Sequence, residues 1–136
     1  MYITLTEAKT LISRITNIYE NDQNVIDDSH LQLVLDESEG MINAAIGSRY
    51  DIPVTATNGV VFLRSLVVPI LRFKTYTQFA ETQEIPEGIQ LEYKMALKTL
   101  DQLARQIISI PDTSDKTTGR ASHIKIAERT SVSTGF

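Results

Sequence analysis

The chain has 136 residues, of which 42% are hydrophobic and 22% charged, with a formal net charge of −4. That length fits one domain with its own core, and the balance argues against both wholesale disorder and a membrane protein. The absence of cysteine removes disulfide frameworks, thiolate catalysis and cysteine-based zinc sites, and the acidic balance has the wrong sign for a protein that grips nucleic acid by neutralising phosphates.

The first element is signalled by Thr4-Leu5-Thr6-Glu7, in which the threonine hydroxyl and the glutamate carboxylate can satisfy each other's backbone N–H groups, a capping box. A helix follows, with Leu5, Ala8, Leu11, Ile12, Ile15 and Ile18 at helical spacing, ending near Tyr19. The Asn- and Asp-rich stretch 20–28 favours turns. Asp28 or Ser29 can cap a second helix whose stripe runs from Leu31 through Val34, Leu35, Ser38 and Ile42 to Ile46 and Arg49, and Pro53 disfavours helical geometry at Ile52. Ala44, Ala45 and Gly47 predict a close helix crossing there.

Residues 55–59 read as a turn-rich connection, with Asn58-Gly59 suited to positive φ. From Val60 to about Gln83 runs the most apolar helix, which belongs in the middle of a bundle. Pro69 deprives the Ser65 carbonyl of its donor, so the third helix is expected to be kinked or broken there. Pro86 suits the first turn of a fourth helix, whose stripe from Ile89 through Tyr93, Ala96, Leu97, Leu100, Leu103 and Ala104 to Ile107 ends at Pro111, a rod of roughly 36 Å.

Composition then changes. Residues 112–119 form a linker, and Ser122, His123, Ile124, Lys125, Ile126 and Ala127 alternate polar and apolar, the pattern of one half-buried strand. A lone strand must pair with something else, which makes these six residues, with the terminal Phe136, the candidate interaction residues. The expected architecture is all-α, a four-helix bundle-like domain over 1–110 and an extended C-terminal arm over 111–136 that contains a short β-strand.

No phosphate loop, dinucleotide fingerprint, zinc-protease motif or nucleophile elbow occurs. The two histidines, His30 and His123, lie far apart, and neither makes a metal site. Asp36, Glu37 and Glu39 do not converge on one point of a helix and read as a solvated face. Arg64 and Arg72 lie on an otherwise apolar helix and are expected to pair with Asp or Glu of a neighbouring helix or to cap its carbonyls. Tyr50, Phe62, Phe73, Tyr76, Phe79 and Tyr93 fall at core spacing without the basic interleaving of a single-strand binder. No catalytic group, cofactor or metal is expected, and the chain reads as a non-enzyme. Apolar runs such as 66–71 are too short to cross a bilayer and no secretory signal opens the chain, so it is expected in the cytoplasm or in a particle assembled there.

The order of these elements resembles the small helical head–tail connector, or head-completion, proteins of tailed bacteriophages, including the Mu-like prophage group. The resemblance covers most of the chain. It rests on the opening Met1-Tyr2-Ile3-Thr4 before a capped helix and on Gly47-Ser48-Arg49-Tyr50-Asp51-Ile52-Pro53 after the second helix. Arg72-Phe73 in the third helix and the Tyr93 to Leu100 pattern of the fourth complete it, while Pro69 and the 55–59 connection depart from the family. The resemblance implies an adaptor subunit of the virion neck, in a ring of about twelve copies, docked between the portal protein and a tail-completion, stopper or tail-terminator protein. DNA would pass through the lumen without specific binding, assembly would take place in the bacterial host cytoplasm, and no membrane is involved. The rival in another class is a DNA-binding packaging or regulatory factor resembling a terminase small subunit. It requires a basic recognition helix, and in the fourth helix Glu92 and Asp101 dilute Lys94, Lys98 and Arg105.

Overall fold

A computed structural model describes residues 2–13, 28–79 and 84–116. Four helices account for most of them: α1 (Leu5–Ser13), α2 (Asp28–Ile46), α3 (Thr57–Phe79) and α4 (Glu87–Ala104). Among the described residues there is no strand, and the candidate strand 122–127 lies outside them.

The capping box forms as the sequence predicts. Glu7 N–H donates to Thr4 Oγ1 and Thr4 N–H to Glu7 Oε1, each at 3.1 Å. In α2 the buried positions Leu31, Val34, Leu35, Ser38, Glu39, Ile42 and Ile46 trace one face at three- and four-residue steps. The buried hydroxyls of Ser38 and Thr75 bond to carbonyls one turn back, Val34 at 2.8 Å and Leu71 at 2.7 Å, so neither is left unsatisfied.

The three long helices pack mutually, and α1 lies against α2 and α3. Their shared core includes Leu35, Ile42, Leu63, Val67, Ile70, Leu71, Leu100 and Leu103. Each fully buried Leu or Ile contributes roughly 1.5–3 kcal/mol by leaving water. Phe73 and Tyr93 stack with ring centroids 3.9 Å apart and planes within 4°, fastening α3 to α4.

Several details differ from the sequence expectations. Of the kink or break expected in the third helix, the break does not form: α3 runs through Pro69, because Leu66, Val67, Ile70 and Leu71 on both sides of the proline are buried and hold the register against the lost hydrogen bond. It also begins earlier, at Thr57, so Asn58 and Gly59 belong to its first turn, and among the described residues no glycine has positive φ. The fourth helix stops at Ala104, about 27 Å from its start at 1.5 Å per residue. Gln106 takes φ 66°, its N–H donates to Leu103 O at 3.2 Å, and Ile107 N–H reaches Gln102 O at 2.9 Å, a Schellman closure that turns Ile107 outward. Finally, α2 ends at Ile46, short of Arg49; of its small residues Ala44 is exposed and Ala45 packs half-buried against the core.

Candidate functional site

The passage after α2 organises one end of the molecule. Gly47 N–H donates to Asn43 O and Tyr50 N–H to Ile46 O, a tight turn that swings Arg49 and Tyr50 inward rather than along the helix face. The Ile52–Pro53 peptide that follows is cis.

Both side chains are fully enclosed, and both bind the strap of residues 105–116 that leaves α4. The Arg49 guanidinium donates from Nε to Asp115 Oδ2 at 2.9 Å, from Nη1 to the Ile108 and Leu103 carbonyls, the former at 2.8 Å, and from Nη2 to Asp115 and, at 3.4 Å, to Ser109 Oγ. It also lies over the Tyr50 ring, 4.9 Å from the centroid. The Tyr50 hydroxyl accepts from Ile110 N–H at 3.0 Å, and Arg49 O accepts from Lys116 N–H at 2.7 Å. A planar cation with five fixed donors suits this role, because one residue satisfies two stranded carbonyls and a carboxylate together. Where the strap crosses the start of α3, Gly59 leaves no room for a side chain: a Cβ would sit 2.6 Å from Thr113 Oγ1 and 3.1 Å from Pro111 O. Asn58 Nδ2 donates to Asp112 Oδ2 nearby, at 2.6 Å.

A second buried polar cluster holds the N-terminal residues. Glu39, only 3% exposed, accepts from Tyr2 N–H at 2.5 Å and Ile3 N–H at 3.0 Å. The Tyr2 hydroxyl donates to Asn43 Oδ1 at 2.7 Å and accepts from Val54 N–H, and burial raises its pKa above the ordinary phenol value. The acidic trio of α2 is therefore not one solvated face. Asp36 and Glu37 are exposed, the latter 3.6 Å from Lys74, whereas Glu39 points inward because two backbone N–H groups await an acceptor there.

The arginines of α3 pair as the sequence predicts, Arg64 with Glu7 of α1 and Arg72 with Glu92 of α4, the latter at 3.5 Å. Of the aromatics, Tyr50 and Tyr76 are buried and Phe62, Phe73 and Tyr93 half-buried. His30 is exposed. Among the described residues no group of three or more histidine or acidic side chains is placed to hold a metal, and no helix is long and apolar enough to cross a membrane. On the solvent side of α3 and α4 lies an open groove of about 440 Å³, with Ser65, Leu66, Val68 and Pro69 on one wall and Met95 and Thr99 on the other. Met95 and its neighbour one turn back, Leu91, are 60% and 57% exposed.

The candidate interaction residues Ser122, His123, Ile124, Lys125, Ile126, Ala127 and Phe136 lie outside the described residues. The last described residue before them, Lys116, is bonded to Arg49 and lies 3.5 Å from Asp51. Sequence reading placed Arg49 on a helix stripe and missed the anchor. The available signal was its position beside Tyr50 in the Gly47–Pro53 passage, together with the opposite charges Asp112 and Asp115 beyond the last helix.

No curated protein and no solved structure matches the chain. A family model described as Bacteriophage Mu, Gp36 matches residues 2–128, nearly the whole length. The Gly47–Pro53 passage that anchors the strap falls inside that match, and the chain belongs to the Bacteriophage Mu Gp36 family.

Proposed function

We propose that this chain is a structural, non-enzymatic part of the virion: a head–tail connector subunit in the neck. It forms a ring of about twelve copies between the portal protein and a tail-completion or tail-terminator protein. No cofactor takes part, and assembly takes place in the host cytoplasm. The observation that carries this reading is the Arg49 anchor. It fastens the root of the C-terminal arm to one corner of a rigid helical body, so residues 117–136 leave from a fixed point toward a neighbouring subunit or the portal. Membership in a phage family supplies the setting. An acidic subunit suits a channel through which DNA slides, since like charge keeps phosphates from sticking.

A phage lacking this chain should package DNA and make tails, yet leave heads and tails unjoined, and adding the purified protein to the extract should restore joined particles. Heads that fail to package, with the purified chain binding duplex DNA tightly and in a salt-sensitive way, would instead support the packaging-factor reading.

A further inference from the structure

The α3–α4 groove and the C-terminal segment have matching chemistry. The groove is apolar along Leu66, Val68, Pro69 and Met95. Because Pro69 has no N–H, the Ser65 carbonyl in the same wall keeps no donor from one turn ahead. An extended segment would offer both complements, alternate apolar side chains for the trough and backbone N–H groups along its edge. Residues 122–127 carry that alternation, with Ile124 and Ile126 on one side.

Charge matches as well. Residues 117–136 hold Arg120, Lys125 and Arg129 against the single acid Glu128, a net of +2. The preceding 116 residues hold ten basic and sixteen acidic groups, a net of −6. Glu92 lies in the groove, its charge shared with Arg72, and Glu84 and Glu87 are exposed at the start of the same helix.

The strap crosses the start of α3, and its last described residue, Lys116, lies against Arg49 and Asp51 in the turn that ends α2. That is the end of the body where α2 and α4 finish, whereas the groove lies along the middle of α3 and α4. The five residues 117–121 span about 17 Å when extended, enough to reach a body placed alongside.

We infer that residues 122–127 of one copy occupy the α3–α4 groove of the next, with Ile124 and Ile126 in the apolar trough between Pro69 and Met95. The contact is head-to-tail: each copy gives an arm and receives one, and repetition closes a ring when the rotation permits. This rests on the proposed ring and names the joint within it.

The natural chain has no cysteine, so introduced thiols are the only ones present. Full-length Met95→Cys and Ile124→Cys chains are mixed and oxidised gently, with Ser48→Cys, an exposed position in the α2 turn, replacing Met95→Cys as control. The mixture should yield a disulfide-linked heterodimer roughly tenfold or more above the control, because docked thiols meet at millimolar effective concentration. A yield equal to the control, or cross-linking only within single chains of the Met95→Cys/Ile124→Cys double variant, overturns the inference. Binding of the wild-type chain to the portal protein is measured in parallel and separates the two readings. Portal binding without the cross-link sinks the groove contact alone, and the cross-link without portal binding sinks the connector reading alone.

Discussion

Arg49 and Asp115 stand 66 residues apart in the chain and form an ion pair whose side chains are only 3% and 10% exposed. The pair closes the strap over the ends of α2 and α4, and the same guanidinium holds the Leu103 and Ile108 carbonyls. Removing one partner of an enclosed pair leaves the other charge unsatisfied, which costs more than the pair contributes.

Arg49→Ala should therefore destabilise the protein by about 3–5 kcal/mol in urea unfolding. Arg49→Lys should recover only a minor part, since an ammonium cannot serve two carbonyls and a carboxylate in one plane. The strap, residues 105–116, should also become the first site of limited proteolysis. Wild-type stability in the lysine variant would show that the charge alone is enough and would contradict the geometry described.

Gly59 tests the strap from the other side. Alanine in an α-helix is normally better than glycine by about 1 kcal/mol. Here its methyl would press on Thr113, Val54 and the Pro111 carbonyl, so Gly59→Ala should lower stability by about 1–3 kcal/mol. A gain in the urea midpoint would mean that the strap does not lie against α3.

The N-terminal clasp depends on one buried carboxylate. Glu39→Ala strands two enclosed N–H groups and should cost about 1–3 kcal/mol for each, while Glu39→Gln keeps one acceptor oxygen and should cost less. Hydrogen exchange at Tyr2 and Ile3 reads the effect directly. Unchanged protection in the alanine variant would refute the clasp.

Glu7 supplies a pH dependence. Its carboxyl is held below the usual glutamate value, first by the Thr4 N–H and further by the Arg64 guanidinium. A depressed carboxyl stabilises the fold at pH above its unfolded value and loses that contribution as pH falls through and below roughly 4.3. The stability difference between wild type and Glu7→Gln should accordingly be present at neutral pH and shrink in acid. A difference that grows toward acid would have the wrong sign.

Much of the fold was legible where one local rule acts alone. The Thr4–Glu7 box, the stripe from Leu31 to Ile46, and the pairing of Arg64 and Arg72 each follow from spacing or from the cost of an unpaired charge. What failed depended on distant neighbours. Gly59 reads as a turn residue until the strap over it is seen, Glu39 reads as surface until the Tyr2 and Ile3 amides arrive, and Gln106 gives no sign of its left-handed backbone. The candidate site was legible only in outline. The alternation 122–127 leads to the expectation of an arm and lies outside the described residues, while the anchor of the strap before it, Arg49, works through residues 54 to 66 positions away.

The core itself is checked by contrast along α4. Leu100→Ala should cost about 2–5 kcal/mol, half-buried Leu97→Ala less, and exposed Leu91→Ala within roughly 0.5 kcal/mol of zero. Equal losses at Leu91 and Leu100 in the isolated protein would mean that α4 is turned differently.

The most direct measurement is the mass, by light scattering, of the portal ring of the same phage before and after adding this chain. The connector account predicts a gain of about one subunit for each portal chain, lost on removing residues 117–136. A portal mass that does not change, with the chain remaining a monomer or dimer beside it, would contradict the account.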